Sequence, residues 1–363
     1  MRVGLFSPTA YRIGGGEWVT FNMAYALERM KHEIMIHSAR RICPDHIREF
    51  FGRDLHFSEV KLGPTLLEPY SLENIYPNLL KSYLFSLKCD LMIDTFSNDL
   101  LPWSDAVYFH GIPRSLRLPE GIEKTLFLPY KAFLNATIKR EKTSKKVLMT
   151  CSECNARPIR EQTGLQVNVL YPPVSDFFRA ENLNDTTRSD TVVTVARIAE
   201  DKRPETIPQI AKLVTKNFSF VIIGSCRLQQ EALVLSRLRK LIRDLGVEKK
   251  VKVLLNISRK RQRDILQHSK IYLHPQVPYE SFGISVVEAM FAGCIPVVPD
   301  IGGLREIVPR EQRYASLEEA AALVDESVSD WSQRRIQECV AMAGRFSQAR
   351  FIEQFLEIMR LQP

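Results

Sequence analysis

The sequence predicts an α/β protein built from two Rossmann-like domains, each around a parallel sheet. Short apolar runs alternate with longer amphipathic stretches at crossover spacing, the texture of strands covered on both faces. A polar segment at 179–190, RAENLNDTTRSD, interrupts this alternation, and the same pattern restarts behind it. The length of 363 residues suits about two domains of roughly 150 residues each. The predicted boundaries are 1–174 for the first domain, 175–189 for a linker and 190–345 for the second domain, with a terminal helix at 346–363 packing back toward the first. The two domains are expected to face each other across a cleft.

The elements follow in order. MRVGLFS reads as a buried strand and RIGGGEW as a Gly-rich loop. VTFNMAYALERM has helical period, with Phe21, Ala24, Tyr25 and Leu27 near one face. HEIMIHSA is the next strand. CDLMIDT, AVYFHG and KKVLMTCS are three more, each ending at a polar or small residue. Behind the polar segment come DTVVTVAR (strand), RPETIPQIAKLVTK (helix), FSFVIIGS (strand), LQQEALVLSRLRKLIRDLG (helix), KVKVLL (strand), SRKRQRDILQHS (helix), KIYLHP (strand), SVVEAMFAG (helix) and CIPVVP (strand). The last stretch, RFSQARFIEQFLEIMRLQ, is a helix whose Phe351, Phe355 and Met359 stripe needs a surface to cover it.

Composition narrows the class. A hydrophobic share of 45% and a charged share of 25% exclude a disordered chain, a collagen-like repeat and a small disulfide scaffold. The net charge of +8 suits anionic partners without selecting one. The 7 cysteines are an odd, scattered set, which reads as unpaired thiols in a reducing compartment. Cys151 and Cys154 form one C-x-x-C with no second pair at zinc-site spacing. The N-terminal stretch lacks the apolar core of a signal peptide. No run reaches the ~18 uninterrupted apolar residues of a spanning helix. The expectation is a cytoplasmic protein, soluble or peripheral at the membrane face.

The run from His274 to Val308 is the most informative for chemistry. Glu280 and Glu288 are separated by seven residues, and Ser281-Phe282-Gly283 precedes an apolar helical pattern opening at Ile284. A helix starting there directs unpaired backbone N–H groups and the positive end of its dipole at an anion. Gly283 permits close backbone approach. Glu288 lies about one to two turns inside the helix at 1.5 Å per residue. Carboxylates at two heights beside an anion site suit a ligand with hydroxyls at both ends and phosphate between, which describes a nucleotide sugar. Alone, the glutamate pair reads as a solvated flank of a core helix. The Gly-bearing entry, the following AGCIPVVPDIGG and the two-domain frame favour the site.

This segment resembles the Glu-x7-Glu donor site of the retaining glycosyltransferases of family 4, which have the GT-B fold. The resemblance extends to Val195-Ala196-Arg197-Ile198 and Asp201-Lys202-Arg203-Pro204, where the family places an Arg and a Lys that grip the donor diphosphate. Ala196 and Arg203 stand where the family has Gly. In the first domain, Gly14-Gly15-Gly16 matches a loop that in the family approaches the donor phosphate and the acceptor, which sets Glu17 and Trp18 at the cleft edge. Asp94-Thr95, Tyr108-Phe109-His110-Gly111-Ile112-Pro113 and Tyr171-Pro172-Pro173-Val174 resemble one branch, the Alg11-type mannosyltransferases that extend lipid-linked oligosaccharides from GDP-mannose. Gly111-Ile112 departs from that branch.

The resemblance implies net retention at the anomeric carbon, with no essential metal and no cofactor besides the nucleotide-sugar donor. The implied catalytic residues are Arg197, Lys202, Glu280 and His110. The implied donor-binding residues are Gly15, Gly16, Ser281, Phe282, Gly283, Ile284 and Glu288. Arg197, Lys202 and the amides near Gly283 face the departing diphosphate. Glu280 holds sugar hydroxyls, Glu288 the ribose, and His110 the hexose near its 6-hydroxyl. The acceptor is a glycan or a lipid-linked oligosaccharide. A glucosyl or other hexosyl transferase using a UDP-sugar, and a catalytically silent sugar-nucleotide-binding protein, are the alternatives.

Two basic stretches bear on partners. EKTLFLPYKAFLNATIKREKTSKK (123–146) mixes Phe127, Leu128 and Phe133 with Lys131, Lys139, Arg140 and Lys142. It reads either as a solvated basic face on a packed helix or as a contact with an anionic membrane. SRKRQRD (258–264) lacks interleaved aromatics and any binding module, so nucleic acid is not expected.

Overall fold

The computed structural model describes residues 1–12, 14–63, 75–113, 116, 123–141, 146–180, 188–329 and 331–361. Contacts divide the chain into two compact units, Met1–Pro173 with Gln348–Pro363, and Val174–Ser347.

The first unit contains β1 (Arg2–Phe6), α1 (Gly15–Arg29), β2 (Glu33–His37), α2 (Pro44–Phe51), β3 (Ser58–Val60), α3 (Ile75–Ser86), β4 (Leu91–Asp94), β5 (Ala106–Phe109), α4 (Glu123–Glu141), β6 (Val147–Thr150), α5 (Glu153–Thr163) and β7 (Asn168–Val169). The strands form one parallel sheet in the order β3-β2-β1-β4-β5-β6-β7. Val3, Leu5, Ile93, Tyr108 and Met149 are fully buried, as a sheet covered on both faces requires.

Helix α1 begins earlier than the sequence suggests. Gly15 and Gly16 are its first residues and Gly14 caps it. The Gly14 N–H donates to the Glu17 carboxylate at 2.9 Å, a third-position acid reaching back to the cap. Glu17 and Trp18, expected at a cleft edge, are therefore buried. The Trp18 indole N–H donates to the Pro173 carbonyl at 2.7 Å.

The second unit contains β8 (Ser189–Arg197), α6 (Thr206–Leu213), β9 (Ser219–Ser225), α7 (Gln229–Asp244), β10 (Val251–Leu255), α8 (Arg259–His268), β11 (Ser269–Leu273), α9 (Ile284–Phe291), β12 (Ile295–Pro299), α10 (Leu304–Ile307), β13 (Arg313–Tyr314), α11 (Leu317–Ser329) and α12 (Gln333–Ala343). Its sheet is also parallel, ordered β10-β9-β8-β11-β12-β13. The last helix, α13 (Gln348–Ile358), belongs to the first unit. There Phe351 and Phe355 are buried against α1, and the Gln348 amide donates to Asn22 Oδ1 at 2.7 Å.

The predicted linker 175–189 needs correction at both ends. Asp176–Phe178 forms a 3-10 turn, Phe178 is buried, and the Ala180 N–H donates to the Phe291 carbonyl at 3.0 Å. Residues 175–180 are thus built into the second unit, because Phe178 is buried there. At the other end Arg188 is buried, donating to the carbonyls of Ser269 at 2.9 Å and Ala292 at 2.5 Å. Residues 181–187 lie outside the described residues. The later boundary falls at Ser347, beyond the predicted 345.

Candidate active site

Parallel strands deliver side chains at their carboxyl ends, where ligands of such sheets gather. Arg197 is the last residue of β8, His274 follows β11, and Asp300 follows β12. Between His274 and α9 the chain carries Glu280-Ser281-Phe282-Gly283.

Glycines fix this segment. Gly283 caps α9 at φ +105, a backbone state that L side chains rarely adopt, and a Cβ there would lie 2.6 Å from Leu304 Cδ2. Gly302 has φ +48, and its added Cβ would sit 2.1 Å from the Glu280 carbonyl oxygen. The Gly303 N–H donates to that same carbonyl at 2.9 Å. The Glu280–Phe282 backbone therefore lies directly on the Gly302-Gly303 turn. Behind Gly283, the amides of Ile284 and Ser285 have no acceptor within the helix, as at any helix start. They present the positive end of α9.

Lys202 ends a short 3-10 turn, Glu200–Lys202, behind β8. Its ammonium donates to Glu280 Oε2 at 2.8 Å, although 78 residues separate the two in sequence. His274 Nε2 lies 3.7 Å from the same oxygen. Burial pushes the Glu280 carboxyl up, but the His274 imidazole and the Lys202 ammonium outweigh it and hold the group at about 2. Glu280 is ionised at any ordinary pH.

Glu288, on the second turn of α9, behaves oppositely. Burial pushes it up to about 7. Arg259 stands 3.9 Å from one oxygen, and the Gln262 amide donates to the other at 3.4 Å, which restrains the rise only in part. Arg197 is half-exposed, pairing with Asp201 at 3.0 Å and approaching Glu231 at 3.8 Å. Arg203, where the resembled family has Gly, has φ +42. The left-handed turn a glycine would favour is kept, with a strain of about 1 kcal/mol. At the other departure, Ala196 pairs in register with Gly224, which has no room for a side chain beside Ile198.

In the first unit, His110 stands at the end of β5. Its Nε2 donates to the Thr95 carbonyl at 2.8 Å. Because a carbonyl only accepts, the neutral ring carries its proton on Nε2 and offers Nδ1 as an acceptor. Burial lowers the pKa of the ring, which favours this neutral form. A Cβ on Gly16 would lie 3.4 Å from the imidazole, so Gly16 gives the ring its space. Gly15 is the first residue of α1, beside it in sequence.

The structure thus brings Lys202, Glu280 and the Ser281–Ile284 segment together in the second unit, with Glu288 one turn deeper. Arg197 sits at the edge of the same strand end. His110 and Gly16 meet in the first unit. His274, Tyr272, Ser285, Arg259 and Gln262 were not predicted, and only His274 carried a signal, as the first residue of the motif run. Among the described residues, no group of three or more His, Cys, Asp or Glu is placed to hold a metal ion.

The basic stretch is corrected in part. Phe133 turns inward, its ring 6.1 Å from that of Trp103. Leu128 is exposed, as are Lys139 and Arg140. The side chain of Phe127 and all of Lys142 lie outside the described residues. The larger apolar surface is on α3 and the turn that follows it, where Tyr76, Leu80, Tyr83, Leu84 and Leu87 are all exposed at helical spacing. Tyr76 meets Tyr130 of α4 at 6.2 Å, so the two helices adjoin. Among the described residues, no helix is long and apolar enough to cross a membrane.

Known proteins extend this picture. A human GDP-Man:Man(3)GlcNAc(2)-PP-Dol alpha-1,2-mannosyltransferase is 31% identical over 215 residues, 54% of this chain and 43% of that protein. The Dictyostelium discoideum enzyme of the same name is 25% identical over 221 residues, 55% of this chain and 43% of the relative. A GDP-mannose:cellobiosyl-diphosphopolyprenol alpha-mannosyltransferase from Xanthomonas oryzae is 32% identical over 109 residues, 28% of each chain. The matched stretch spans less than half the length of these relatives. Among solved structures, Anabaena HepE in complex with UDP and glucose aligns over 100% of both chains with a TM-score of 0.74 at 15% identity. Sucrose-phosphate synthase from Thermosynechococcus elongatus aligns over 99% of this chain and 98% of its own with a TM-score of 0.76 at 14% identity. These share the two-unit GT-B fold. The model of the glycosyl transferases group 1 family matches residues 175–357, which contain Lys202, Glu280 and Glu288. The chain belongs to the glycosyl transferases group 1 family.

Proposed function

We propose that this protein is a retaining α-mannosyltransferase that moves mannose from GDP-mannose to a glycan or lipid-linked oligosaccharide without a metal. The observation that carries the reading is the Lys202–Glu280 contact of 2.8 Å beside the start of α9. It sets a cation, a carboxylate and a helix N-terminus at one point, with a second carboxylate a turn below. The donor diphosphate lies against Lys202, Arg197 and the amides of Gly283 and Ile284, which stabilise the charge that grows as it departs. Glu280 receives the sugar hydroxyls and Glu288 the ribose. His110 accepts from the hexose through Nδ1. The acceptor hydroxyl attacks from the face that the diphosphate leaves. The names of the relatives support mannose, GDP and a polyprenyl-linked acceptor. Titration calorimetry in EDTA tests the donor: GDP-mannose binds, and UDP-glucose binds at least about tenfold more weakly. Tight UDP-glucose binding, or a need for divalent metal, contradicts this reading.

Glu288 gives donor binding a pH dependence. Its carboxyl titrates near 7, above the ordinary value, because burial disfavours the charge. Below that pH the group is neutral and one oxygen no longer accepts. Affinity for GDP-mannose therefore rises by about fivefold between about pH 6 and about pH 8. Glu288→Gln weakens binding and removes this slope. A slope unchanged in the variant assigns it elsewhere. For stability the sign is reversed: the folded state holds a proton the unfolded chain has lost, so this group's contribution falls as pH rises from its ordinary value through about 7.

A lipid-linked acceptor requires contact with a membrane surface. The exposed face of α3, with Leu128, Lys139 and Arg140 of α4, supplies apolar and cationic groups for it. The protein is expected to bind phosphatidylserine vesicles at low salt. Leu80→Glu with Leu87→Glu weakens binding, and Lys139→Glu with Arg140→Glu weakens it by ~1 kcal/mol per lost cation. Indifference of all variants, or no vesicle binding, removes the membrane from the reading and leaves the donor site standing.

A further inference from the structure

His274 is buried directly behind β11. Its backbone is fixed by Tyr314, whose hydroxyl donates to the His274 carbonyl at 2.6 Å. Its ring contacts Tyr272 at one end, while at the other it lies close enough to Glu280 to favour the ionised carboxylate without a hydrogen bond of ordinary length. Nδ1 lies 3.4 Å from Tyr272 Oη, which itself stands 2.8 Å from Ser285 Oγ on α9 and 3.3 Å from the Val195 carbonyl on β8. Nε2 is buried without a hydrogen-bond partner. The nearest carboxylate oxygen, Glu280 Oε2, is 3.7 Å away, beyond hydrogen-bond length.

The protons can be placed. Tyr272 has one to give. If it goes to Nδ1, the neutral imidazole carries its proton on Nε2. If it goes to the Val195 carbonyl or to Ser285 Oγ, Nδ1 must donate to Tyr272 Oη, and Nε2 would point a lone pair at an ionised carboxylate unless it too were protonated. Both arrangements compatible with Glu280 put a proton on Nε2. A buried N–H aimed at a carboxylate, and just out of reach of it, is rare in a native interior.

The reason lies in the other partner of that oxygen. Lys202 holds Glu280 Oε2 at 2.8 Å. It has one ammonium, and the proposed function assigns that ammonium to the donor diphosphate. A lysine that leaves strands a buried carboxylate, which is strongly unfavourable without a replacement. A closure of under about 1 Å would bring Nε2 to hydrogen-bond length. We propose that His274 is a positioning residue that takes over Glu280 when Lys202 turns to the diphosphate, keeping the carboxylate ionised and fixed for the sugar hydroxyls. This rests on the functional reading above. The Tyr272–Ser285 contact ties the same ring to the first turn of α9, so the helix start and Glu280 are held from one point.

The test is the affinity of the full chain for GDP-mannose and for GMP, which lacks the β-phosphate and the mannose. The proteins are wild type, His274→Asn, His274→Gln, Lys202→Met and the double variant Lys202→Met with His274→Asn. A Gln amide reaches the Nε2 position and an Asn amide only Nδ1. His274→Asn is expected to weaken GDP-mannose by about tenfold, and His274→Gln by less than about threefold. GMP affinity stays within about twofold in both, which also reports a folded site. In the Lys202→Met background there is no exchange to support, so His274→Asn has no further effect. Parallel loss of GMP and GDP-mannose, no rescue by Gln, or an additive double variant overturns the takeover. If Lys202→Met weakens GDP-mannose and His274→Asn does not, this inference falls alone. If Lys202→Met changes nothing, the functional reading falls and takes the inference with it.

Discussion

Lys202→Ala is expected to lower kcat for sugar transfer by about 10²-fold or more, with a smaller change in KM. The diphosphate gains charge as the glycosidic bond breaks, so a fixed cation acts more strongly on the transition state than on the bound donor. Lys202 is suited to this because it ends a turn locked between β8 and α6 and is only partly exposed. The variant has a second defect. Burial already pushes the Glu280 carboxyl up, and Lys202 is one of the groups that hold it at about 2. Without the ammonium, Glu280 loses a partner in the free protein. Lys202→Arg keeps the charge and should fall less far. A wild-type rate in Lys202→Ala removes the leaving-group role.

Gly302→Ala should be nearly as damaging, by about 10²-fold in kcat/KM, although Gly302 touches no substrate in this reading. The added methyl would lie 2.1 Å from the Glu280 carbonyl oxygen, and the residue has φ +48. Neither backbone can yield without moving Glu280, and the Gly303 N–H that holds this carbonyl at 2.9 Å moves with it. Glu280 is then displaced from Lys202. Gly344→Ala is the control: a Cβ there meets nothing within 4 Å, and its kinetics should match the wild type. Normal kinetics in Gly302→Ala would mean that the turn does not set Glu280.

The longer parallel strands were legible because they carry apolar runs, as in VVTVA or VIIGS, that suit a sheet buried on both faces, whereas β3 (Ser58–Val60), β7 (Asn168–Val169) and β13 (Arg313–Tyr314) are too short and polar to show one. Shorter elements were not. α10 (Leu304–Ile307) is too brief to show a period. α2 (Pro44–Phe51) is bounded by Pro44 and by Gly52 at φ +75, signals that were present but mark only a two-turn helix. At the site, Glu280 and Glu288 were readable from type and spacing, and Lys202 from the resemblance to the family. The contact between Lys202 and Glu280 was not, since it joins segments from two different strands. Glu17 looked like a cleft residue because its capping of Gly14 is a local geometry that composition does not reveal. Phe133 stayed open between a packed and an exposed face, because an apolar residue among lysines is ambiguous until Trp103 is placed beside it. The unused Nε2 of His274 depends on a gap of 3.7 Å, a quantity no sequence pattern carries.

The central claim is that this chain transfers mannose from GDP-mannose with retention. The measurement that tests it most directly incubates the full chain with GDP-mannose and a polyprenyl-diphosphate-linked oligosaccharide in EDTA, and reads the anomeric configuration of the new linkage by NMR. The expected product carries an α-linked mannose, formed at an undiminished rate without divalent metal. A β-linked product, or transfer only from a UDP-sugar, would contradict the claim.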